Sequence, residues 1–190
     1  YYIMKGLSEL SRFCPHFCSS CGIYKCDIQP NYVDEDADPF EPHDKPININ
    51  IIMMEYIQNS VPFYAMIKDE QIPFKYIVSI IKQVLLAIIV AQTYKSFVHY
   101  DLHSLNILMK ECDYDDVHVY VLDDDNVIYV PTYGYYPVII DYGFGYIEDL
   151  NTKPLSCSLA YTNSGYMSPI YDPIADAKLS SIVCAPVAFA

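Results

Sequence analysis

Two short runs hold residue types that move protons and bind hard cations. The first is His99-Tyr100-Asp101-Leu102-His103-Ser104-Leu105-Asn106-Ile107-Leu108; the second, thirty-three residues beyond Leu108, is Asp141-Tyr142-Gly143. An aspartate opening a tight loop can accept or orient a hydroxyl proton. An asparagine five positions later can return an amide oxygen to the same place, and a second aspartate supplies a charged oxygen of the kind magnesium prefers. Alone, each run is weak evidence, because Asp and Gly recur in ordinary turns. Together and in this order, each beside an apolar strand, they define a candidate site.

The elements that must hold these runs are legible in the hydrophobic pattern. Ile77, Ile80, Ile81, Val84, Leu85, Ile88 and Ile89 recur at spacings of three and four, which predicts a long helix over 74–94 ending just before the first run. Pro73 precedes it, where a missing N–H costs nothing. Strands are expected at 106–110 and 138–140, with an inserted hairpin between them (111–137) whose arms, 117–121 and 126–130, turn at Asp123–Asp125. Upstream, residues 1–10 read as the end of a helix, 13–26 as a strand pair turning near 19–22, 27–48 as a proline-rich acidic loop, and 49–57 as a buried β-branched strand.

Composition narrows the class. With 190 residues, 53% of them hydrophobic, the chain can bury one core. The net charge of −13 is concentrated: seven acids lie in 27–44 and seven in 111–125, out of 24. Such a surface excludes nonspecific nucleic-acid binding, which needs clustered cations. The most apolar stretch, 84–91, is shorter than the ~20 residues of a membrane span, so no membrane association is expected. No secretory signal is visible, and a start at Tyr1 rather than Met reads as a piece of a longer protein. Cys14, Cys18, Cys21 and Cys26 crowd within 13 residues, too close for the paired ligand spacing of a structural zinc. They read as small buried apolar residues in a reducing, cytoplasmic setting.

The two runs resemble H-R-D-L-x-x-x-N and D-F-G of the protein kinase superfamily. The resemblance extends upstream. Met53-Met54-Glu55-Tyr56-Ile57 resembles the strand and hinge that hold adenine, and Phe13-Cys14-Pro15-His16-Phe17 resembles the strand after the regulatory helix. With Asp101-Leu102-His103-x-x-Asn106, the flavour is that of divergent kinase-like proteins of large DNA viruses, whose setting would be the host cytoplasm or the virion. It implies an α+β, two-lobe kinase-like fold in partial form, with a small-lobe remnant and hinge in 1–58 and part of the large lobe in 59–190. It further implies ATP and Mg2+ as cofactors and Ser or Thr of a protein as substrate. Asp101 would be the catalytic base and Asn106 and Asp141 the metal ligands. Met54 would be the gatekeeper, the backbones of Glu55 and Ile57 would bond adenine, Leu108 would pack beneath it, and His99 would support the loop. Gly165-Tyr166-Met167-Ser168-Pro169 would close an activation segment, and Asp172 or Asp176 would begin the next helix.

Three departures mark the pattern. Tyr100 replaces the Arg that reads an activation-loop phosphate, His103 replaces the Lys usual in Ser/Thr enzymes, and no glycine-rich loop or Val-Ala-x-Lys lies within the 190 residues. Two alternatives follow. His103 also suits small-molecule phosphotransferases of the aminoglycoside and choline type, and the missing lysine suits a pseudokinase acting as an interaction module. Nothing in the pattern sets an oligomeric state.

Overall fold

The computed structural model describes residues 1–28, 47–148 and 171–177. The chain runs α1 (Tyr2–Ser8), β1 (Ser20–Ile28), β2 (Ile47–Met54), β3 (Val61–Pro62), α2 (Phe63–Lys68), α3 (Phe74–Lys95), β4 (Ile107–Glu111), β5 (Val117–Val121), β6 (Val127–Pro131) and β7 (Tyr135–Ile139). Among the described residues this is a mixed α+β arrangement with three small antiparallel sheets, β1-β2, β3-β4-β7 and β5-β6.

Helix α3 is the keel. Pro73 caps it, and Ser96 ends it in the left-handed region (φ 46°), with its N–H bonded back to Gln92. Of the expected apolar face, Ile77, Ile80, Val84 and Ile88 are buried, but Ile81 and Leu85 are half-buried and Ile89 is exposed. Leu86, Ala87, Val90 and Ala91 are buried as well, so the helix packs around a broader arc than the three-four spacing implies. By length and composition α3 would also cross a membrane, because its most apolar window is wider than 84–91. More than half of that window is buried against the rest of the fold, the arrangement of a core helix.

The three-stranded sheet lies against α3. Ile107 and Met109 of β4 and Pro137, Val138 and Ile139 of β7 turn into the core with Leu7, Phe63, Phe97 and Leu102. Residues 16–18 extend this sheet: the Ile139 N–H donates to the His16 carbonyl at 2.7 Å, and the Cys18 N–H to Ile139 at 3.2 Å. Helix α1 comes close to Ile147, whose side-chain end would lie 2.7 Å from a Cβ on Gly6.

Several expectations are corrected. Residues 13–26 are not a strand pair: 10–16 are turns, 16–18 join β7, and the strand begins at Ser20 and pairs with β2. The turn expected near Gly22 is a bulge in that strand, with φ 151° at Gly22. Strand β2 stops at Met54 and is not buried; Ile51, Ile52, Met53 and Met54 are all exposed because, among the described residues, its sheet has two strands and no layer over it. The loop expected over 27–48 loses its ends to the ladder, where Asp27 faces Asn48; its middle, like 165–169, lies outside the described residues. The cysteines do not share one buried strand: Cys14 and Cys18 are buried, Cys21 is exposed and Cys26 half-exposed. The inserted hairpin is present as β5 and β6. Strand β3 and helix α2 carry no strong periodic signal and were not anticipated.

Candidate active site

The loop from His99 to Asn106 connects the end of α3 to β4, and Asp141 follows β7, so pairing of β4 with β7 brings both runs to one sheet end. Backbone bonds tie them directly: the Ile140 N–H donates to the Asn106 carbonyl at 3.0 Å. His99 adds a second tie. Its Nδ1 accepts from the Asp101 N–H at 3.3 Å, which leaves Nε2 as the donor to the Ile140 carbonyl at 2.9 Å. The ring is fully buried, and burial holds it below the usual histidine range, so it is a neutral strut. Phe97 and Tyr142 pack on it, with the His99 and Tyr142 ring centroids 5.7 Å apart, and Phe17 packs in turn on Phe97.

Asp101 is a third exposed on its side chain. The Asn106 Nδ2 donates to its carbonyl at 3.0 Å and lies 3.2 Å from its Oδ2. The amide nitrogen is thereby committed to Asp101, and the amide oxygen is the atom left for a cation. His103 Nε2 stands 3.6 Å from Asp101 Oδ2 and 3.2 Å from Asn106 Nδ2, while its Nδ1 faces the Leu105 N–H at 3.3 Å. Asp141 is exposed, and its Oδ1 accepts from the Gly143 N–H at 3.3 Å. An exposed carboxylate and a free amide oxygen are hard donors that fit magnesium. Tyr100 and Asp141 both have positive φ, 62° and 61°, a strained backbone for residues with side chains.

One residue that matters here was named only as a helix start. Asp176 is fully buried, and its two oxygens accept from the N–H groups of His99 (2.8 Å) and Tyr100 (2.9 Å). Burial raises its pKa, partly offset by those bonds. Asp172 does open the turn that carries it, accepting from the Ile174 N–H at 3.0 Å. Asp176 lies far from the loop in sequence, and no spacing rule points to it; the signal would be an acid beside apolar residues with no cation nearby.

The residues expected to form a hinge are less well provided. Met54 and Glu55 are exposed. The Glu55 N–H is already bonded to the Ser19 carbonyl at 2.9 Å, and the Cys18 thiol approaches the Glu55 carbonyl at 3.6 Å. Ile57 is buried, with its carbonyl accepting from Ser60 Oγ. Leu108 is half-buried on β4 opposite Pro62 and Val138, so the strand just after the hinge reaches it.

The chain matches no protein-family model. It is similar to two proteins of iridescent viruses. Uncharacterized protein 098R of Invertebrate iridescent virus 6 is 44% identical over 107 residues, 55% of this chain and 18% of that protein. Uncharacterized protein 038R of Invertebrate iridescent virus 3 is 28% identical over 185 residues, 94% of this chain and 33% of that protein. The chain thus spans a third or less of the curated relatives it matches.

Proposed function

We propose that this chain carries the catalytic and metal-binding loops of an ATP- and magnesium-dependent protein kinase acting on Ser or Thr, in a partial two-lobe kinase-like fold. The observation that carries the reading is the way one sheet end is built. Asp101, Asn106 and Asp141 come from two loops joined through Ile140 and His99, the first of them braced by Asp176, with strained backbone at Tyr100 and Asp141. Such rigid support is what phosphoryl transfer requires, because its catalysis is mostly positioning and charge stabilisation.

In this reading Asp101 takes the hydroxyl proton of the substrate, and Asn106 holds that carboxylate in place through Nδ2. Asn106 Oδ1 and the Asp141 carboxylate would hold magnesium, which would neutralise the phosphate charge. His103 stands beside the base where it can meet the incoming phosphate. Met54, Glu55, Ile57 and Leu108 would line the adenine side. Because the Glu55 N–H is occupied, only its carbonyl and the Ile57 N–H are offered to the base.

Calorimetry with Mg-ATP on the wild type and Asp141→Asn tests the metal assignment; magnesium-dependent binding that the substitution removes is expected. Asp101→Ala is expected to keep nucleotide affinity and abolish transfer to a Ser/Thr protein substrate. Mg-ATP affinity unchanged by Asp141→Asn would sink the metal assignment, and binding without transfer by the wild type would favour the interaction-module alternative.

A further inference from the structure

Among the described residues, the inserted hairpin has an open edge and an uncovered face that the site does not use. The Thr132 N–H donates to the Asp116 carbonyl and the Leu122 N–H to the Asn126 carbonyl, both at 2.9 Å. With Val117 opposite Pro131 and Val121 opposite Val127, alternation makes His118 and Tyr120 the residues bonded to β6. The N–H and C=O groups of Val117, Val119 and Val121 therefore point away from β6, and among the described residues no strand pairs with that edge. Pro131, which lacks an N–H, sits at one of the positions where none is needed.

The same three valines are 48%, 48% and 60% exposed, and across the ladder Tyr129 is 67% exposed. On the opposite face Tyr120 and Val130 are buried. Beside β5 lies a cavity of ≈ 290 Å³ walled by Arg12, Phe13 and Pro15 on one side and Val117 and Val119 on the other; no β6 residue lines it. Asp113, Asp115 and Asp116 stand before the strand and Asp123, Asp124 and Asp125 after it, against the single cation Arg12 in the groove.

We propose that the free edge of β5 and its valine face receive an extended segment of a protein partner, apolar at alternate positions and flanked by Lys or Arg. Main-chain bonds to Val117, Val119 and Val121 give affinity, and alternate side chains on the valine face give selectivity. The acidic ends set the charge of the flanks. They also disfavour a second copy, since antiparallel β5–β5 pairing would set Asp123–Asp125 of one chain against Asp113–Asp116 of the other. Nucleic acid is repelled by the same charge.

The test uses a synthetic acetylated peptide with a Val-Thr-Val-Thr-Val core flanked by lysines, and a twin flanked by glutamates. Binding is read by calorimetry, and its place by amide shifts of β5. The lysine peptide is expected to bind at Val117–Val121, at least about tenfold more tightly than its twin. Val119→Pro removes an outward N–H without touching the β6 ladder and should weaken binding about tenfold or more. Asp124→Asn with Asp125→Asn keeps the strand and should weaken binding several-fold while flattening its salt dependence. Absence of binding by the lysine peptide, equal binding of both peptides, shifts elsewhere, or a dimer that Val119→Pro dissociates would each overturn the proposal.

Discussion

Tyr142 stands where the resemblance has phenylalanine, and its hydroxyl is not idle. It donates to the Ile139 carbonyl at 2.5 Å and accepts from the Cys18 N–H at 2.9 Å, pinning the loop after β7 to the segment before β1. The two backbone groups also bond each other at 3.2 Å. Removing the hydroxyl therefore orphans neither, and the full cost of an unsatisfied buried group does not apply. Tyr142→Phe is expected to lower stability by about 1 kcal/mol in urea denaturation, with an unchanged fold. A loss above ~3 kcal/mol would mean that the hydroxyl, rather than the ring packed on His99 and Phe97, is what orders this loop. Asp176 is the opposite case. It serves two buried N–H groups at once, including that of Tyr100, whose positive φ it helps to hold.

Between elements, the strongest polar joint is His16. Its Nδ1–H donates to the Pro137 carbonyl of β7 at 2.8 Å, and its Nε2 accepts from the Tyr120 hydroxyl of β5 at 2.7 Å. One ring thus ties the turn after α1 to the sheet and to the inserted hairpin. Burial pushes its pKa down to about 3 from the 6.5 of an unfolded chain, and burial lowers the His118 pKa as well, with its ring 5.1 Å away. Between those values the unfolded chain binds a proton that the folded chain refuses. Stability is therefore full above pH 6.5 and falls as pH drops toward 3, by on the order of a few kcal/mol. Urea midpoints measured from pH 7 to pH 4 should fall steeply in the wild type and less steeply in His16→Asn, which starts lower for want of the bonds. Parallel slopes would show that His16 is not the group being titrated. The sequence carried the hairpin and the two runs of the candidate site because alternation and fixed spacing are local signals. It did not carry His16 or Asp176, whose partners lie 121 and 76–77 residues away, nor the uncovered face of β2, since the same β-branched run reads alike whether buried or not.

Across the whole molecule, packing is uneven, and that decides where it opens first. Helix α3, β4 and β7 share one core with Phe63, Phe97 and Leu102, whereas β1 and β2 form a two-stranded sheet with Ile23, Tyr24, Ile51, Ile52 and Met53 exposed. A two-stranded ladder without a covering layer is marginal in water, whatever its internal hydrogen bonds. Among the described residues its attachment is narrow: the Ser20 N–H bond to Ser8 Oγ of α1, the Glu55–Ser19 bond, the Cys18 thiol contact and the buried Ile57. Met54 and Glu55, proposed for the adenine side, thus sit on the least secured part, while Asp101, Asn106 and Asp141 sit on the most secured. Amide exchange should separate the two. The ladder amides of β1 and β2 are expected to exchange at least about a hundredfold faster than those of β4, β7 and the middle of α3, by opening locally rather than globally. Equal protection would require a layer over the β1-β2 face, and the candidate site would then be rigid on both sides rather than on the side of Asp101, Asn106 and Asp141 alone.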